Sequence, residues 1–306
     1  MPELPEVETI VRQLDGVLVG KKISKVEILR SKSFGGNGND LVEMVVDGVG
    51  RKAKMILIEC HPPQVTHAGG QAVSRILVVH LKMTGQLIYV EKTQKPKNSK
   101  TQNNIETKRI VGGHPTPDWI NSLPSKYTRI IIDFDNGAKL FFNDLRVFGW
   151  MRVMTNDEWR IVNDKLPPDV VDREFTLEYF KRALAKSGRS VKLVLLDQSK
   201  FGGVGNIYAN DALYMARIDP RRKAKEISDK EIKELYVAVK EVINRGIKYG
   251  GASVDKYVDA AGLGGKYQEH FSVYQRDGEK CKRDGATIRK IKIGGRGTYY
   301  CPGCQK

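Results

Sequence analysis

At 306 residues the chain is long enough for two domains with separate cores, and its 52 lysines and arginines outnumber its 36 acidic residues, for a net charge of +16. This surplus favours a polyanionic partner, with nucleic acid more plausible than a membrane surface. No apolar run is long enough to span a bilayer, and neither a signal peptide nor a disulfide framework is recognisable, so we expect a soluble, cytoplasmic protein.

The N-terminus carries the first candidate site. Its sequence, Met-Pro-Glu-Leu-Pro-Glu-Val-Glu-Thr, places a proline directly behind the initiator methionine. If that methionine is removed, Pro2 becomes a terminal secondary amine, which is partly uncharged near neutral pH and can attack an electrophilic sugar carbon to give an iminium ion. Glu3 and Glu6 lie within reach of this amine. The structural alternative, in which Pro5 opens a helix and acids complement its dipole, is preferred only for Glu8.

A helix and a set of strands follow. Apolar residues recur at helical spacing from Val7 to Leu18, which predicts an amphipathic helix that ends near Gly20. Strand-like segments occur at 25–29, 54–59, 75–82, 86–90, 129–134 and 138–142. Asp-Asn-Gly at 135–137 is a strong hairpin signal between the last two. The first half is therefore predicted to be mostly β, fronted by one helix.

Two kinds of segment interrupt this pattern. Residues 91–109 are polar and lysine-rich, and we interpret them as a mobile basic loop inserted between strands, more typical of a solvated loop than of a phosphate contact. The stretch at 61–72 also lengthens the first half. Leu-Pro-Pro-Asp at 166–169 is the predicted domain boundary.

The second half is predicted to be helical. Helices are expected at 175–186 and 191–198, and Ser228 with Glu231 forms a capping box ahead of a third. A Gly-Gly-Val-Gly sequence at 202–205 precedes another apolar segment, and glycines before a helix let backbone N–H groups approach a phosphate closely. Taken alone, this loop is a weak signal and is equally compatible with a structural turn.

Three of the four cysteines lie in the last 26 residues, which favours a metal site. Cys301 and Cys304 have the spacing of a zinc knuckle, whereas the other half pairs Cys281 with Asp284 where a second cysteine is expected. A carboxylate oxygen can bind zinc, so three thiolates and one oxygen can form a tetrahedral site that is weaker than four thiolates. The alternative is an empty or labile site. Arg296, on the glycine-rich turn between these halves, can reach a phosphate.

Together these motifs resemble the formamidopyrimidine-DNA glycosylase family, the bacterial base-excision enzymes for 8-oxoguanine and ring-opened purines. The resemblance runs nearly from end to end and is most specific in the N-terminal run and in Gly-Asn-Ile-Tyr-Ala. The paralogous endonuclease VIII type has Gly where this chain has Leu4, which argues against membership of that branch. The matching segments lie at 2–9, 51–54, 80–85, 143–149, 195–198, 203–209, 250–251 and 295–305.

The resemblance implies an α+β fold. It comprises an N-terminal β-sandwich with flanking helices at 1–158, which contains the loop at 91–109, a helix–two-turn–helix DNA-binding domain at 168–265 and a zinc-finger β-hairpin at 266–306. A loop within 250–267 would close over an extruded base. The implied protein is a monomeric, bifunctional DNA glycosylase and abasic-site lyase that acts on damaged double-stranded DNA, without membrane association. It would hold one structural Zn²⁺ and use no redox or nucleotide cofactor.

The resemblance also implies catalytic roles. Pro2 would attack C1′ of the damaged nucleotide, expel the base and hold the sugar as a Schiff base, followed by β,δ-elimination. Glu3 would transfer protons, and Glu6 would support it. Lys54 would bind the phosphate beside the lesion, and Arg296 would grip the phosphates and assist the second elimination. The five histidines have no metal-like spacing to the cysteines and are given no catalytic role.

Further residues would bind the DNA. Met83, Arg146 and Phe148 would fill the space left by the flipped nucleotide, with Arg146 facing the orphaned cytosine; as isolated residues, Met83 and Phe148 are equally compatible with a core position. The other expected DNA contacts are Tyr127, Arg189, Lys192, Asn206 and Tyr208. The chain departs from the family pattern at Leu145, where proline is common, at Val147, where a second arginine is common, and at Tyr127, where a histidine is usual.

Three alternatives stay open at this point. Within the same family, the enzyme could prefer oxidised pyrimidines. From a different class, the chain could be a non-catalytic damage-binding protein, although intact Pro2, Glu3 and Lys54 argue against this because binding needs no terminal amine. The chain could also bind RNA, but it lacks the aromatic platform expected of single-strand readers.

Overall fold

The computed structural model describes residues 1–63, 73–94, 105–113, 122–252 and 265–306. Within these ranges the chain divides into two units, the first comprising 1–2, 6–164 and Gly265, and the second comprising 3–5, 165–252 and 266–306. The division after Asp164 falls beside the predicted boundary at 166–169. Residues 266–306 were predicted to form a separate hairpin domain, but they belong to the same unit as the helices.

Parts of three predicted segments lie outside the described residues. They are most of the stretch at 61–72, the centre of the predicted basic loop at 95–104, and the larger part, 253–264, of the expected base-covering loop.

The first unit is a β-sandwich. Its elements are α1 (Leu4–Leu18), β1 (Ile23–Ile28), β2 (Phe34–Gly35), β3 (Val45–Lys52), β4 (Met55–His61), β5 (Arg75–His80), β6 (Gly85–Gln94), β7 (Ile105–Gly113), β8 (Thr128–Phe134), β9 (Lys139–Asp144), β10 (Trp150–Thr155) and α2 (Asn156–Asn163). One sheet has the order β1-β8-β9-β6-β7, and the other has the order β2-β10-β5-β4-β3. Apolar side chains from both sheets and from α1 form one buried core, which confirms the predicted sandwich and its N-terminal helix.

The predicted loop at 91–109 is wrong at both ends. β6 continues to Gln94 and pairs antiparallel with β7 from Ile105, with Glu91 opposite Lys108. β7 is the edge strand of its sheet. An edge strand needs backbone hydrogen bonds on one side only, and charged residues there discourage pairing with other chains. The polar composition at 91–94 and 105–109 therefore belongs to two paired strands at the edge of a sheet.

The second unit is helical and ends in a hairpin. Its elements are α3 (Leu177–Ala185), α4 (Val191–Leu195), α5 (Asn206–Met215), α6 (Asp229–Lys248), β11 (Arg289–Ile293) and β12 (Arg296–Tyr300). The predicted capping box is confirmed at the start of α6, where the Ser228 hydroxyl accepts the Glu231 N–H and the Glu231 carboxylate accepts the Ser228 N–H. Among the helices that the structure describes, none combines the length and apolar character needed to cross a membrane.

The C-terminal hairpin has a tight turn. β11 and β12 pair antiparallel with Ile293 opposite Arg296, so only Gly294 and Gly295 connect them. Both glycines have positive φ angles, 55° and 76°, as a two-residue hairpin turn of the favoured twist requires. The turn therefore presents Arg296 at its edge, where the side chain is exposed.

Candidate functional site

The first unit holds Pro2, Glu6 and Lys54, and all three are buried. Lys54 is the second residue of the two-residue turn between β3 and β4, in which Ala53 has a positive φ of 53°. The Arg51 guanidinium binds the Ala53 carbonyl oxygen at 3.0 Å from Nη1 and thereby holds this turn. Arg51 therefore fixes the turn that carries Lys54.

The turn is anchored to the N-terminal helix. Arg51 Nε donates to the Glu8 carboxylate at 3.0 Å, and Arg12, one turn along α1, donates to the same carboxylate at 2.9 Å. Burial by itself raises the pKa of Glu8, but hydrogen bonds and charge from Arg51 and Arg12 lower it below its usual value. Glu8 therefore has a structural role as the partner of Arg51 and Arg12, which differs from the expected complement to the helix dipole. Arg51 is a positioning residue for which the sequence predicted no role.

In the second unit, the Glu3 carboxylate lies against the N-terminus of α5. Its Oε1 accepts the backbone N–H of Ile207 at 3.1 Å, and Glu3 is buried. A Cβ on Gly205 would lie 2.0 Å from Glu3 Cδ, so only glycine permits this close approach. A helix N-terminus favours negative charge. The Gly-rich sequence thus has a structural purpose here, since it accommodates the Glu3 side chain.

Lys192 lies beside this carboxylate and is fully buried. Its Nζ donates to the Gly297 carbonyl oxygen at 2.9 Å and to the Thr298 hydroxyl at 2.7 Å. Burial lowers the pKa of Lys192 to about 7; the negative charge of Glu3 opposes this shift and the positive charge of Arg296 adds to it. A buried amine of this kind can change its charge near neutral pH.

Asn206 reaches the same hairpin. Its Nδ2 donates to the Gly297 carbonyl oxygen at 3.1 Å. On the next turn of α5, Asn210 donates to the Asn206 carbonyl oxygen and accepts the Tyr299 N–H through Oδ1 at 2.8 Å. The second unit therefore brings Glu3, Lys192, Asn206 and the hairpin of Arg296 together.

Met83 and Phe148 are exposed in the first unit rather than in its core, with exposed fractions of 42% and 52%. Arg146 is also exposed, and its guanidinium lies 4.9 Å from the centre of the Phe148 ring. The Asp144 carboxylate holds this turn by accepting the N–H of Arg146 at 3.2 Å and that of Gly149 at 2.7 Å. The core alternative for Met83 and Phe148 is therefore excluded.

Three other expected DNA contacts have different surroundings. Arg189 is half exposed and pairs with Asp197 at 2.7 Å. Tyr208 is fully buried, and its ring centre lies 5.0 Å from that of Tyr267, so this ring packs within the helical unit. Tyr127 is half-buried, with the Lys126 ammonium 5.1 Å from its ring centre.

His80, to which the sequence gave no role, is held at the end of β5. The Lys82 N–H donates to its Nδ1 at 3.0 Å, so the neutral ring carries its proton on Nε2. Burial lowers the pKa of His80 to about 3, with further contributions from the charges of Lys82 and Lys54. The ring is therefore a neutral N–H donor next to two cations, an arrangement suited to an anion. The sequence signal that could have indicated His80 was its position at the start of the family-like segment at 80–85.

The four metal-ligand candidates converge, with one ligand atom of each within 4.8 Å of the others. The sulfurs of Cys281 and Cys304 are 4.0 Å apart, and the Cys301 sulfur lies 3.3 Å from Asp284 Oδ1. A tetrahedral zinc ion with bonds near 2.0–2.3 Å separates its ligands by about 3.3–3.8 Å. A Cβ at Gly303 would lie 2.2 Å from Asp284 Oδ2, so glycine leaves room for this carboxylate. The donor set fits Zn²⁺.

Profiles of three domain families match the chain. They are the formamidopyrimidine-DNA glycosylase N-terminal domain over residues 1–151, the formamidopyrimidine-DNA glycosylase H2TH domain over 166–258, and the zinc finger found in FPG and IleRS over 278–306. Among curated proteins, the chain is 35% identical over 313 residues to a formamidopyrimidine-DNA glycosylase of Pelotomaculum thermopropionicum, covering 100% of this chain and 99% of that protein.

Solved structures of FPG proteins also match the chain over its full length. The chain is similar to a Lactococcus lactis FPG mutant in complex with Fapy-dG containing DNA, with a TM-score of 0.79, 28% identity and 100% coverage of both chains. It is also similar to the wild-type Lactococcus lactis FPG in complex with DNA that contains an oxidized pyrimidine, with a TM-score of 0.78, 28% identity and the same coverage.

Proposed function

Because the chain belongs to the formamidopyrimidine-DNA glycosylase family, and is thus a DNA glycosylase and abasic-site lyase of base excision repair, we propose that it excises oxidised purines through a Schiff base on the Pro2 nitrogen. The observation that carries this proposal is the position of Glu3, the residue after Pro2, whose carboxylate is buried at the N-terminus of α5. Plain DNA binding does not require a buried carboxylate on the residue that follows a terminal amine in the sequence.

The chemistry assigns a sequence of bond changes to Pro2 and Glu3. The lone pair of the terminal amine forms a bond to C1′ while the bond from C1′ to the base breaks, and the base leaves with that electron pair and takes up a proton. The amine then loses its proton, and Glu3 protonates O4′ as the C1′–O4′ bond opens, which leaves a cationic iminium. Removal of a C2′ proton next expels the 3′ phosphate, and a second elimination expels the 5′ phosphate. Glu6 supports Glu3 in these transfers.

Cationic and amide groups bind the phosphates in this proposal. Lys54, Asn206 and Arg296 hold the phosphates next to the damaged nucleotide, and the neutral N–H of His80 adds a donor beside Lys54. Lys192 acts as a positioning residue, because its amine binds the backbone of the hairpin that carries Arg296.

The exposed wedge of Met83, Arg146 and Phe148 supports the removal of the lesion from the stack. A glycosylase reaches its target bond only after the nucleotide rotates out of the duplex, which costs a few kcal/mol. Apolar side chains offset this cost by replacing the lost stacking. Arg146 supplies hydrogen-bond donors for the cytosine left behind.

Purine preference is tested with two duplexes of identical flanking sequence, one with 8-oxoguanine opposite cytosine and one with thymine glycol opposite adenine. We expect single-turnover excision of 8-oxoguanine to be faster by about tenfold or more. The Lactococcus lactis complexes contain a Fapy-dG in one case and an oxidized pyrimidine in another, so the ratio of the two excision rates is what decides between the alternatives. Equal or faster excision of thymine glycol would support the pyrimidine alternative, and cleavage of neither would support the damage-binding alternative.

We also propose that Asp284 is the fourth ligand of the zinc site and lowers its affinity. Zinc in structural sites prefers thiolates to carboxylates. Replacing Asp284→Cys is therefore expected to increase zinc affinity by about tenfold or more, measured by competition with a chromophoric chelator. Lys282→Cys, which adds a thiol two residues away, serves as the control and should leave the affinity unchanged. If Asp284→Ala retains zinc as tightly as the wild type, the carboxylate is not a ligand.

A further inference from the structure

A further exposed side chain, Leu145, directly precedes the wedge residue Arg146 in the chain. Leu145 is 48% exposed, similar to Met83 at 42% and Phe148 at 52%. Contiguous exposed apolar side chains on a protein surface mark interaction sites more often than scattered ones do. We refer to Met83, Leu145 and Phe148 as the apolar ridge.

The pairing of β6 with β9 brings the segment that carries Met83 close to the segment that carries Leu145. β6 and β9 are antiparallel with Gly85 opposite Asp144, so the next pair in the same register is Thr84 and Leu145. The Arg146 N–H donates to the Thr84 hydroxyl at 3.1 Å, which shows that the two chains stay adjacent beyond the last ladder pair. Met83 and Leu145 therefore lie at the same end of one sheet.

The turn that carries Leu145 has a fixed shape. The Asp144 carboxylate accepts the N–H groups of Arg146 and Gly149, and Arg129 Nε donates to the Asp144 carbonyl oxygen at 2.8 Å. Val147 has a φ of +55°, which a β-branched residue rarely adopts. Such a conformation persists only where the surroundings determine it. The backbone therefore holds Leu145 at the surface.

We propose that Leu145 is a fourth wedge residue, which inserts into the base stack with Met83 and Phe148 when the damaged nucleotide leaves the duplex. This inference rests on the proposed function and extends its wedge. Leucine is one of the apolar side chains that proteins insert between base steps. A leucine at this position has a longer and more adaptable apolar side chain than the proline common in the family, so this chain covers more of the exposed base faces.

A wedge residue has a distinctive effect on substrates. An intact 8-oxoguanine opposite cytosine must be unpaired and unstacked before excision, and the wedge reduces that cost. A preformed abasic site has no base to unstack, so the lyase step depends less on the wedge. Loss of Leu145 is therefore expected to slow excision of the intact lesion selectively.

The test compares Leu145→Ala with the wild type on both substrates under single-turnover conditions. Excision of 8-oxoguanine should fall about tenfold, and cleavage of the preformed abasic site should stay within about twofold. Leu145→Met should restore most of the lost excision because it returns an apolar side chain of similar size. Fluorescence of 2-aminopurine placed next to the lesion reports unstacking on binding, and its increase should be smaller with Leu145→Ala.

Ile161→Ala is the matched control, since Ile161 is 56% exposed on α2 of the same unit. It should behave like the wild type in all three measurements. The inference is overturned if Leu145→Ala excises 8-oxoguanine as fast as Ile161→Ala does. It is also overturned if Leu145→Ala slows 8-oxoguanine excision and abasic-site cleavage by the same factor. Failure of the proposed function has a different signature, in which the wild type itself does not excise 8-oxoguanine, and the 2-aminopurine signal still tests insertion in that case.

Discussion

Replacing Pro2→Gly is expected to reduce the borohydride-trapped adduct on 8-oxoguanine duplex by about 100-fold or more. A secondary amine gives an iminium that keeps its positive charge, whereas the primary amine of glycine gives an imine that can lose its proton and attract electrons less strongly. Glycine also lacks the ring that restricts the backbone at this residue. Trapping is quantified by gel shift, and the intact mass of the adduct with peptide mapping identifies the attached residue.

Pro5→Ala is the matched control for this substitution. It also removes a proline near the N-terminus, but it leaves the terminal amine unchanged, so trapping should stay near that of the wild type. An adduct that maps to Lys54 or another lysine, or undiminished trapping by Pro2→Gly, would contradict the nucleophile assignment. A mature chain that retains Met1 would contradict it as well, because Pro2 would then have no free amine.

The sequence predicted those elements that depend on contacts between residues a few positions apart in the chain. The apolar spacing of α1 and the capping box at Ser228 and Glu231 are examples, because both depend on contacts between neighbouring turns. Thr155 and Glu158 carry the same signal and form the capping box of α2, a helix that was not predicted.

Strands that lack a regular apolar pattern, and strands whose partners are distant in the chain, were harder to predict. β3 contains Gly48 and Gly50, which interrupt its apolar pattern, and it forms because β4 pairs along its length. β10 pairs with β5 and β2, which are more than 60 residues away in the sequence. The edge hairpin of β6 and β7 likewise depends on backbone pairing rather than on an apolar face.

Long-range contacts limited the prediction of the candidate site in the same way. Residue types and spacing suggested Glu3, Arg296 and the metal cluster, and the resemblance to a known family added Lys54 and Asn206 as expected site residues. The groups that position them were not predicted. Arg51 pairs with the carboxylate of Glu8, 43 residues away, and the Asp144 carboxylate also accepts the hydroxyl of Thr84, 60 residues away. Such partnerships arise from tertiary contacts that leave no local pattern.

The largest effect on stability is expected at Asp211, which is fully buried on α5. Its carboxylate accepts the backbone N–H groups of Ser272 at 3.1 Å, Val273 at 3.0 Å and Tyr274 at 3.3 Å, together with the Tyr267 hydroxyl at 3.2 Å. This single side chain therefore satisfies four donors in the segment that leads to the cysteine-bearing hairpin.

Replacing Asp211→Ala leaves these donors without their acceptor, at a cost of about 1–3 kcal/mol for each buried group that water does not reach. We expect a loss of about 4 kcal/mol in the free energy of unfolding and a fall of about 10 °C in the calorimetric midpoint. Asp211→Asn keeps one acceptor oxygen and should lose less, and Asp277→Ala, at an exposed carboxyl in the following segment, should lose almost nothing.

The effect should extend to the metal site, because Val273 packs in the same buried cluster as Cys281 and Cys301. When Asp211 no longer holds the backbone of Val273, that cluster loosens, and zinc should dissociate faster from Asp211→Ala than from Asp277→Ala in a chelator-exchange experiment. If Asp211→Ala unfolds within about 1 kcal/mol of the wild type, the four hydrogen bonds are not the determinant of this segment's position. Faster zinc loss without a loss of stability would instead assign Asp211 to the hairpin alone.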